Sequence, residues 1–373
     1  VGLLDYYKQF QDVAEEDLNK GRRARRAREK RLALEHTPEL DVSSTEWPEL
    51  PNAEVINASI YTARGRVNGY PDRYASGVRR LLAERHAVEP ERIVVANGAA
   101  ELLQAAALAL MAPGDELLTP WPSYPLYPLM ARRAGGMPVA VDTGADGQGL
   151  DRLLDAVTDR TRMIVLCNPN DPTGTYLRAD RIASLAADLP ERVHLIVDEA
   201  LVHFQDVEDI DAVLRLTDAL PQLLVVRTFS KIYGLSGLRA GYAVGSNAAA
   251  SVLDSLSPVL GVNALTQAAV EQTLSISDPE IERRRTMVIE QRQRIVSALR
   301  DLPIDTGDSQ ANFVWLAAEG LTGAQLAGRL GRERVTVAPG GPLGADDHVR
   351  ASVRDPSSTG RLLSALEKAL LAD

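Results

Sequence analysis

The sequence predicts an α/β protein with a large, mainly parallel sheet covered by helices on both faces, followed by a smaller α+β domain. Three observations carry that expectation. Short apolar runs alternate with helical stretches from about residue 90 to residue 245, the order that builds parallel sheets. The pattern changes near residue 275, where Asp278-Pro279 opens a long charged helix and shorter strand-sized runs follow. The 373 residues suffice for one large core and a second, smaller one.

In chain order, residues 5–35 read as a highly charged helix. Its block 21–31, Gly-Arg-Arg-Ala-Arg-Arg-Ala-Arg-Glu-Lys-Arg, reads as a solvated face beside Glu15, Glu16 and Asp17 rather than a nucleic-acid patch. Residues 37–60 hold Pro38, Pro48 and Pro51 and little periodicity, and read as an extended connector. Ala75, Val78, Leu81 and Leu82 keep helical spacing, 93–96 is a short apolar strand, and 101–111 is an alanine- and leucine-rich helix. Further strands are expected at 116–119, 139–142, 163–167, 194–198, 223–228 and 242–245. Beyond the helix from Asp278 to about Arg300 come strands at 313–316, 335–338 and 349–353, a helix near 322–330 and a last helix to Leu371. The expected division is 1–50 (helix and connector, packing with the small domain), 51–275 (large domain) and 276–373 (small domain).

Bulk properties narrow the function. Hydrophobic content of 45% and charged content of 25% fit a soluble globular enzyme. A net charge of −10 argues against general nucleic-acid binding. No run approaches the roughly 20 apolar residues of a membrane span, and Val1 to Phe10 lacks the apolar core of a secretion signal. Cys167 is the single cysteine, which suits a reducing cytoplasm.

Residues 228–242, Thr-Phe-Ser-Lys-Ile-Tyr-Gly-Leu-Ser-Gly-Leu-Arg-Ala-Gly-Tyr, are the most informative stretch. Lys231 follows the buried-strand run Leu223-Leu-Val-Val226, where burial disfavours a charged amine. A neutral amine attacking a carbonyl to form a Schiff base accounts for it. Arg239 with the hydroxyls of Thr228 and Ser230 can hold a phosphate on the same ligand. Lysine, carbonyl and phosphate together describe pyridoxal phosphate (PLP); no metal is called for.

Other strand ends carry matching groups. Asp198, closing His194-Leu-Ile-Val-Asp, suits pairing with a pyridine nitrogen or capping of the next turn. Asn97-Gly98-Ala99-Ala100-Glu101 joins a strand to a helix whose free N–H groups suit phosphate. Tyr124, in Trp-Pro-Ser-Tyr-Pro-Leu-Tyr, can stack on a flat ring or pack as a loop aromatic. Asn168-Pro-Asn-Asp-Pro-Thr-Gly174 is a tight turn. Arg350, in His-Val-Arg-Ala-Ser-Val, reads either as a carboxylate clamp or as an edge-strand arginine in solvent.

In this order the motifs resemble the class I/II PLP-dependent aminotransferases of fold type I, most of all the histidinol-phosphate aminotransferase group, from about Tyr70 to Arg354. The resemblance implies the fold-type I architecture, with a seven-stranded, mainly parallel sheet, and transfer of an amino group from an L-amino acid to a 2-oxo acid. It implies that Lys231 bonds the cofactor and Asp198 pairs with its ring nitrogen. Gly98, Ala99, Ala100, Thr228, Ser230 and Arg239 would hold the phosphate, and Tyr124 would stack on the ring. Arg350 would bind the substrate α-carboxylate, and Asn312 matches a small-domain motif. Tyr70, in Asn-Gly-Tyr-Pro-Asp, matches a tyrosine that reaches the neighbouring subunit's phosphate, which implies a homodimer.

The chain departs from the family pattern at two cofactor-facing positions. Asp171 stands where an asparagine usually precedes Pro-Thr-Gly and donates to the ring oxygen. Leu201 stands where a tyrosine usually follows the pyridinium aspartate by three. Both changes alter the ring's electronics, so the alternative is a non-transaminating PLP enzyme: a decarboxylase, a lyase or an amino-acid oxidase. A non-catalytic PLP-binding regulator rests on the arginine block alone. Thr45-Glu-Trp-Pro48 replaces an Asn-Glu-Asn-Pro type stretch, which weighs against histidinol phosphate as substrate. Asp171, with Glu46 and His203 if they lie nearby, suits a basic or polar amino acid.

Overall fold

The computed structural model describes residues 20–25, 28, 37–142, 144 and 149–371. Residues 20–25 are helical; the rest of the helix expected at 5–35, with part of the arginine block, lies outside the described residues.

Strand β1 (Leu40–Asp41) comes first, followed by β2 (Ile93–Ala96), β3 (Glu116–Trp121), β4 (Met137–Asp142), β5 (Thr161–Cys167), β6 (His194–Asp198), β7 (Leu223–Thr228) and β8 (Gly241–Val244). Strands β2 to β8 form one seven-stranded sheet in the order β2-β8-β7-β6-β5-β3-β4. Its pairs are parallel except that β8 runs antiparallel to both β2 and β7.

The two-residue period of the strands sorts their side chains between two cores. Met163, Val165, Ile196, Leu224 and Val226 face the helix Ala99–Leu110 with its Leu102, Leu103 and Ala106. Ile164, Leu166, Leu195, Val197, Leu223 and Val225 face the opposite side, under Leu153 and the helix Ala179–Asp188. Both faces are covered, which is why these strands read as unbroken apolar runs.

After the helix Asp278–Leu299 come β9 (Ile304–Asp305), β10 (Phe313–Ala318), β11 (Val335–Thr336), β12 (Ala338–Pro339) and β13 (His348–Ser352). Four of them form an antiparallel sheet ordered β12-β13-β10-β9, and β11 pairs in parallel with β1. The single strand expected at 335–338 is therefore two, because the chain crosses at Val337 from one sheet to the other. The N-terminal segment stays with this part of the molecule: Ser352 N donates to Val42 O at 2.8 Å.

A second expectation fails. The connector expected over 37–60 gives way to a helix at Ala53–Arg66. Pro38, Pro48 and Pro51 all precede its cap, Asn52, whose side chain accepts from Glu54 N. With Glu54 in its first turn and Arg64 and Arg66 in its last, it follows the helix dipole.

Gly241, at the start of β8, has no room for a side chain. A Cβ there would lie 2.6 Å from Ala99 N and 2.8 Å from Gly98 C, both backbone atoms. Gly241→Ala is expected to cost about 1–3 kcal/mol, read as a lower urea midpoint at unchanged slope.

Candidate active site

The carboxyl ends of the parallel strands open on one cavity of about 210 Å³, where ligands bind in sheets of this kind. From β7 the chain passes through Ser230 to Lys231 and then turns at Gly234, with φ +72°, whose N–H donates to Lys231 O. Arg239 holds the left-handed conformation at φ +53°, a costly one for a side-chain-bearing residue. Its guanidinium turns back, donating from Nη1 to Ser236 O at 2.9 Å and to Ser230 Oγ at 3.4 Å. Thr228 Oγ1 donates to Ser230 Oγ at 3.0 Å.

Facing Arg239 is the start of the helix Ala99–Leu110. Its cap, Gly98, sits at φ +93° and supplies no side-chain cap. A Cβ on Gly98 would stand 2.5 Å from Arg239 Nη2. Ala99, Ala100, Thr228, Ser230 and Arg239 all line the cavity, so free N–H groups, two hydroxyls and a guanidinium meet in an anion cradle.

Asp198 ends β6 at the cavity floor. Its Oδ2 accepts from Tyr127 at 2.9 Å and its Oδ1 from Ala200 N at 3.1 Å, so it caps the next turn as well. Burial pushes its pKa up to about 6, against the lowering effect of those hydrogen bonds. Next to it, Glu199 is buried against Arg227, at 2.7 Å, and Arg227 also holds Asp211 at 2.6 Å. Tyr124 lines the cavity edge-on to Tyr127, ring centroids 5.7 Å apart.

Lys231 lines the same cavity, with Nζ donating to Thr45 Oγ1 at 2.5 Å. Burial pushes its pKa below that of an ordinary lysine; Asp171, Glu46 and Asp198 act against this and Arg350 with it. Asp171 forms an ion pair with Arg350 Nη1 at 2.5 Å, both side chains being largely buried. Arg350 Nη2 donates to Ser43 O at 3.0 Å. Strand β13 lies between β12 and β10, so Arg350 is not on an edge. Asn312 stands behind the cavity, donating to Thr45 O at 3.1 Å.

Asn170 is not available to replace the family asparagine. Its Nδ2 donates to Pro122 O and Thr173 Oγ1, its Oδ1 accepts from Ser123, and Asp171 is the residue that lines the cavity. Leu201 lines it too. His203 is packed, at 3.2 Å from Tyr233 Oη, with its pKa driven down to about 3 by burial. Glu46 lies on the cavity wall. Tyr70 is 87% exposed and away from the cavity.

Sequence reasoning gave no role to Tyr127, and it marked the stretch Thr45–Pro48 without foreseeing that Thr45 accepts from Lys231. The signal for Tyr127 was its position three residues after Tyr124 on the loop that leaves β3.

The sequence profile of the family "Aminotransferase class I and II" matches residues 38–366. The chain belongs to that family. An aromatic amino acid aminotransferase of Corynebacterium efficiens is 38% identical over 332 residues, covering 88% of this chain and 92% of its own. One from Streptomyces avermitilis is 37% identical over 277 residues, covering 74% and 76%. The histidinol-phosphate aminotransferase of Sinorhizobium meliloti, solved with PLP, superposes with a TM-score of 0.79 at 26% identity, covering 91% of this chain and 94% of its own. A Thermus thermophilus aspartate aminotransferase mutant, at 24% identity and TM-score 0.80 over 90% of this chain and 97% of its own, shares the fold.

The protein is thus a PLP-dependent aminotransferase of fold type I. The residues present fit the cofactor. The cradle under Gly98 excludes even a methyl group, and Asp198 is a buried carboxylate whose hydrogen bonds come from neutral groups, an acceptor for a ring N–H.

Proposed function

We propose that this aminotransferase takes aromatic L-amino acids as amino donors. The name of the 38% identical relative carries the reading. Its test is kcat/KM over a donor panel, with Phe, Tyr and Trp expected to exceed Asp and histidinol phosphate by about tenfold or more. Preference for either of the latter would sink the reading.

Bound here, PLP supplies an electrophilic carbonyl and an electron-accepting ring. The cradle of Gly98, Ala99, Ala100, Thr228, Ser230 and Arg239 holds its phosphate, Tyr124 stacks on its ring, and Asp198 accepts from its ring nitrogen. Arg350 orients the substrate through its α-carboxylate, backed by Asn312, which fixes Thr45. Lys231, whose ammonium form burial disfavours, would be the residue that bonds the cofactor and, once free, the base that takes the proton from the substrate Cα.

A neutral amine is needed for the first of these tasks. The rate at which the cofactor-free protein takes up PLP is expected to rise with pH to a midpoint below that of an ordinary lysine. Asp171 favours the ammonium form, so Asp171→Asn is expected to move the midpoint lower still. Stopped-flow absorbance checks both; a midpoint at the ordinary lysine value is the contrary result.

We also propose a homodimer. Tyr61, Tyr70, Val259 and Leu260 are all exposed, at 80%, 87%, 80% and 61%, large apolar and aromatic side chains that a second copy would cover. Tyr70 would reach the neighbouring cradle, and Tyr70→Phe is expected to raise the Kd for PLP about tenfold. Sedimentation as a monomer, or unchanged affinity, would count against this. We divide the chain as the sequence suggested, at 50/51 and 275/276, which independent unfolding of a 276–373 fragment tests. A cytoplasmic setting rests on the lone, buried Cys167, and fractionation of the source cells tests it.

A further inference from the structure

We propose that Glu46 and Asp171 make this pocket select against substrates with a second negative group. Donor and acceptor would then each carry one carboxylate and a neutral or cationic side chain. The inference deepens the substrate reading above and rests on it.

Charge around the cavity decides it. Three cations of the described chain serve the site: Lys231, Arg239 and Arg350. Lys231 is the reacting amine. Arg239 is turned towards Ser230 and the start of the helix Ala99–Leu110, the phosphate position. Arg350 is already paired with Asp171, so a substrate α-carboxylate meets a neutralised pair instead of a bare cation.

Against these stand three carboxylates on the wall, Glu46, Asp171 and Asp198. Glu46 has no ion-pair partner among the described residues. It follows Thr45, whose Oγ1 accepts from Lys231 Nζ, and its charge acts on that amine. A second carboxylate on the substrate therefore finds no unpaired cation among the described lining residues. It meets the unpaired Glu46 instead, with Arg350 already taken by Asp171, and like charges brought together are a strong means of rejection. A neutral side chain incurs no such cost.

The test is calorimetric binding of amine-free acids to the PLP-loaded protein. Pentanoate and glutarate share a carbon count and differ by one carboxylate. Pentanoate is expected to bind at least about tenfold more tightly than glutarate. Glu46→Gln is expected to narrow that gap to about threefold, and Asp171→Asn to tighten both acids. The same order is expected in turnover, with kcat/KM higher for 2-oxopentanoate than for 2-oxoglutarate as acceptor, and a smaller difference in Glu46→Gln. Equal or tighter glutarate binding in the unaltered protein overturns the proposal, as does a gap that neither variant changes. If the binding heats are too small to read, the acceptor comparison decides. A third acid, 3-phenylpropanoate, separates the two readings: binding no tighter than pentanoate sinks the aromatic assignment and leaves the charge selection standing.

Discussion

Lys231→Ala is expected to lower kcat/KM by at least about 10⁴-fold, roughly 5.5 kcal/mol of barrier. Two tasks converge on one amine, the bond to the cofactor and the proton at the substrate Cα, so no second group shares the loss. The fold should be indifferent, since Nζ donates its hydrogen bond to Thr45 Oγ1 and to no core group. Two readouts separate this from general damage. Borohydride treatment of the unaltered protein should leave the cofactor's mass on the peptide containing residue 231, and the variant should show none. The urea midpoint should stay within about 1 kcal/mol of the unaltered protein. Activity within tenfold of normal would remove Lys231 from the reaction.

Asp198→Asn should cost about 10²–10³-fold in kcat, the scale of losing one preorganised electrostatic partner in a dry site. The amide preserves shape but leaves one acceptor oxygen where Tyr127 Oη and Ala200 N each had their own, so the loss reads the charge together with one rearranged hydrogen bond, in which the Tyr127 hydroxyl turns to accept. Asp198 lies at the cavity floor and Arg350 receives the α-carboxylate on the proposed reading, so KM for the amino donor should move far less than kcat. A large KM change with kcat preserved would place Asp198 on the substrate instead. Stability gives a second handle. The Asp198 carboxyl is pushed up to about 6 by burial, above its unfolded value near 3.9. The folded, cofactor-free protein therefore holds this proton longer than the unfolded chain does. Stability from this group is present at low pH and is lost as pH rises between those two values. Asp198→Asn should remove that component.

The sheet was legible because β5, β6 and β7 are buried on both faces and so appear as unbroken apolar runs; β6 and β7 have the bounds expected. Lys231, Asp198 and Tyr124 were legible for a related reason. Each is a polar or aromatic residue just beyond such a run, and in a parallel sheet those positions converge. What escaped depends on contacts between distant segments. Arg227 sits inside the run Leu223–Thr228 as though it were one more strand residue, and its partners Glu199, Asp211 and the Ile210 carbonyl explain its burial. The pairing of Asp171 with Arg350 joins positions 179 apart, so the sequence offered an altered cofactor contact where the fold supplies an ion pair. The helix Ala53–Arg66 was obscured by prolines that end one residue before its cap.

The segment Leu40–Thr45 has a consequence for the protein's birth. It pairs with β11, its Ser43 carbonyl accepts from Arg350 across 307 positions, and its Thr45 accepts from Lys231. On the ribosome this stretch emerges well before the partners it pairs with, Ser43 307 positions ahead of Arg350. The sheet that presents Lys231 is complete at Val244 and can close while synthesis continues. The wall that holds Thr45 and Glu46 beside the amine can form only when translation has reached Ser352, so the nascent chain carries its lysine uncovered while residues 245–352 are being made.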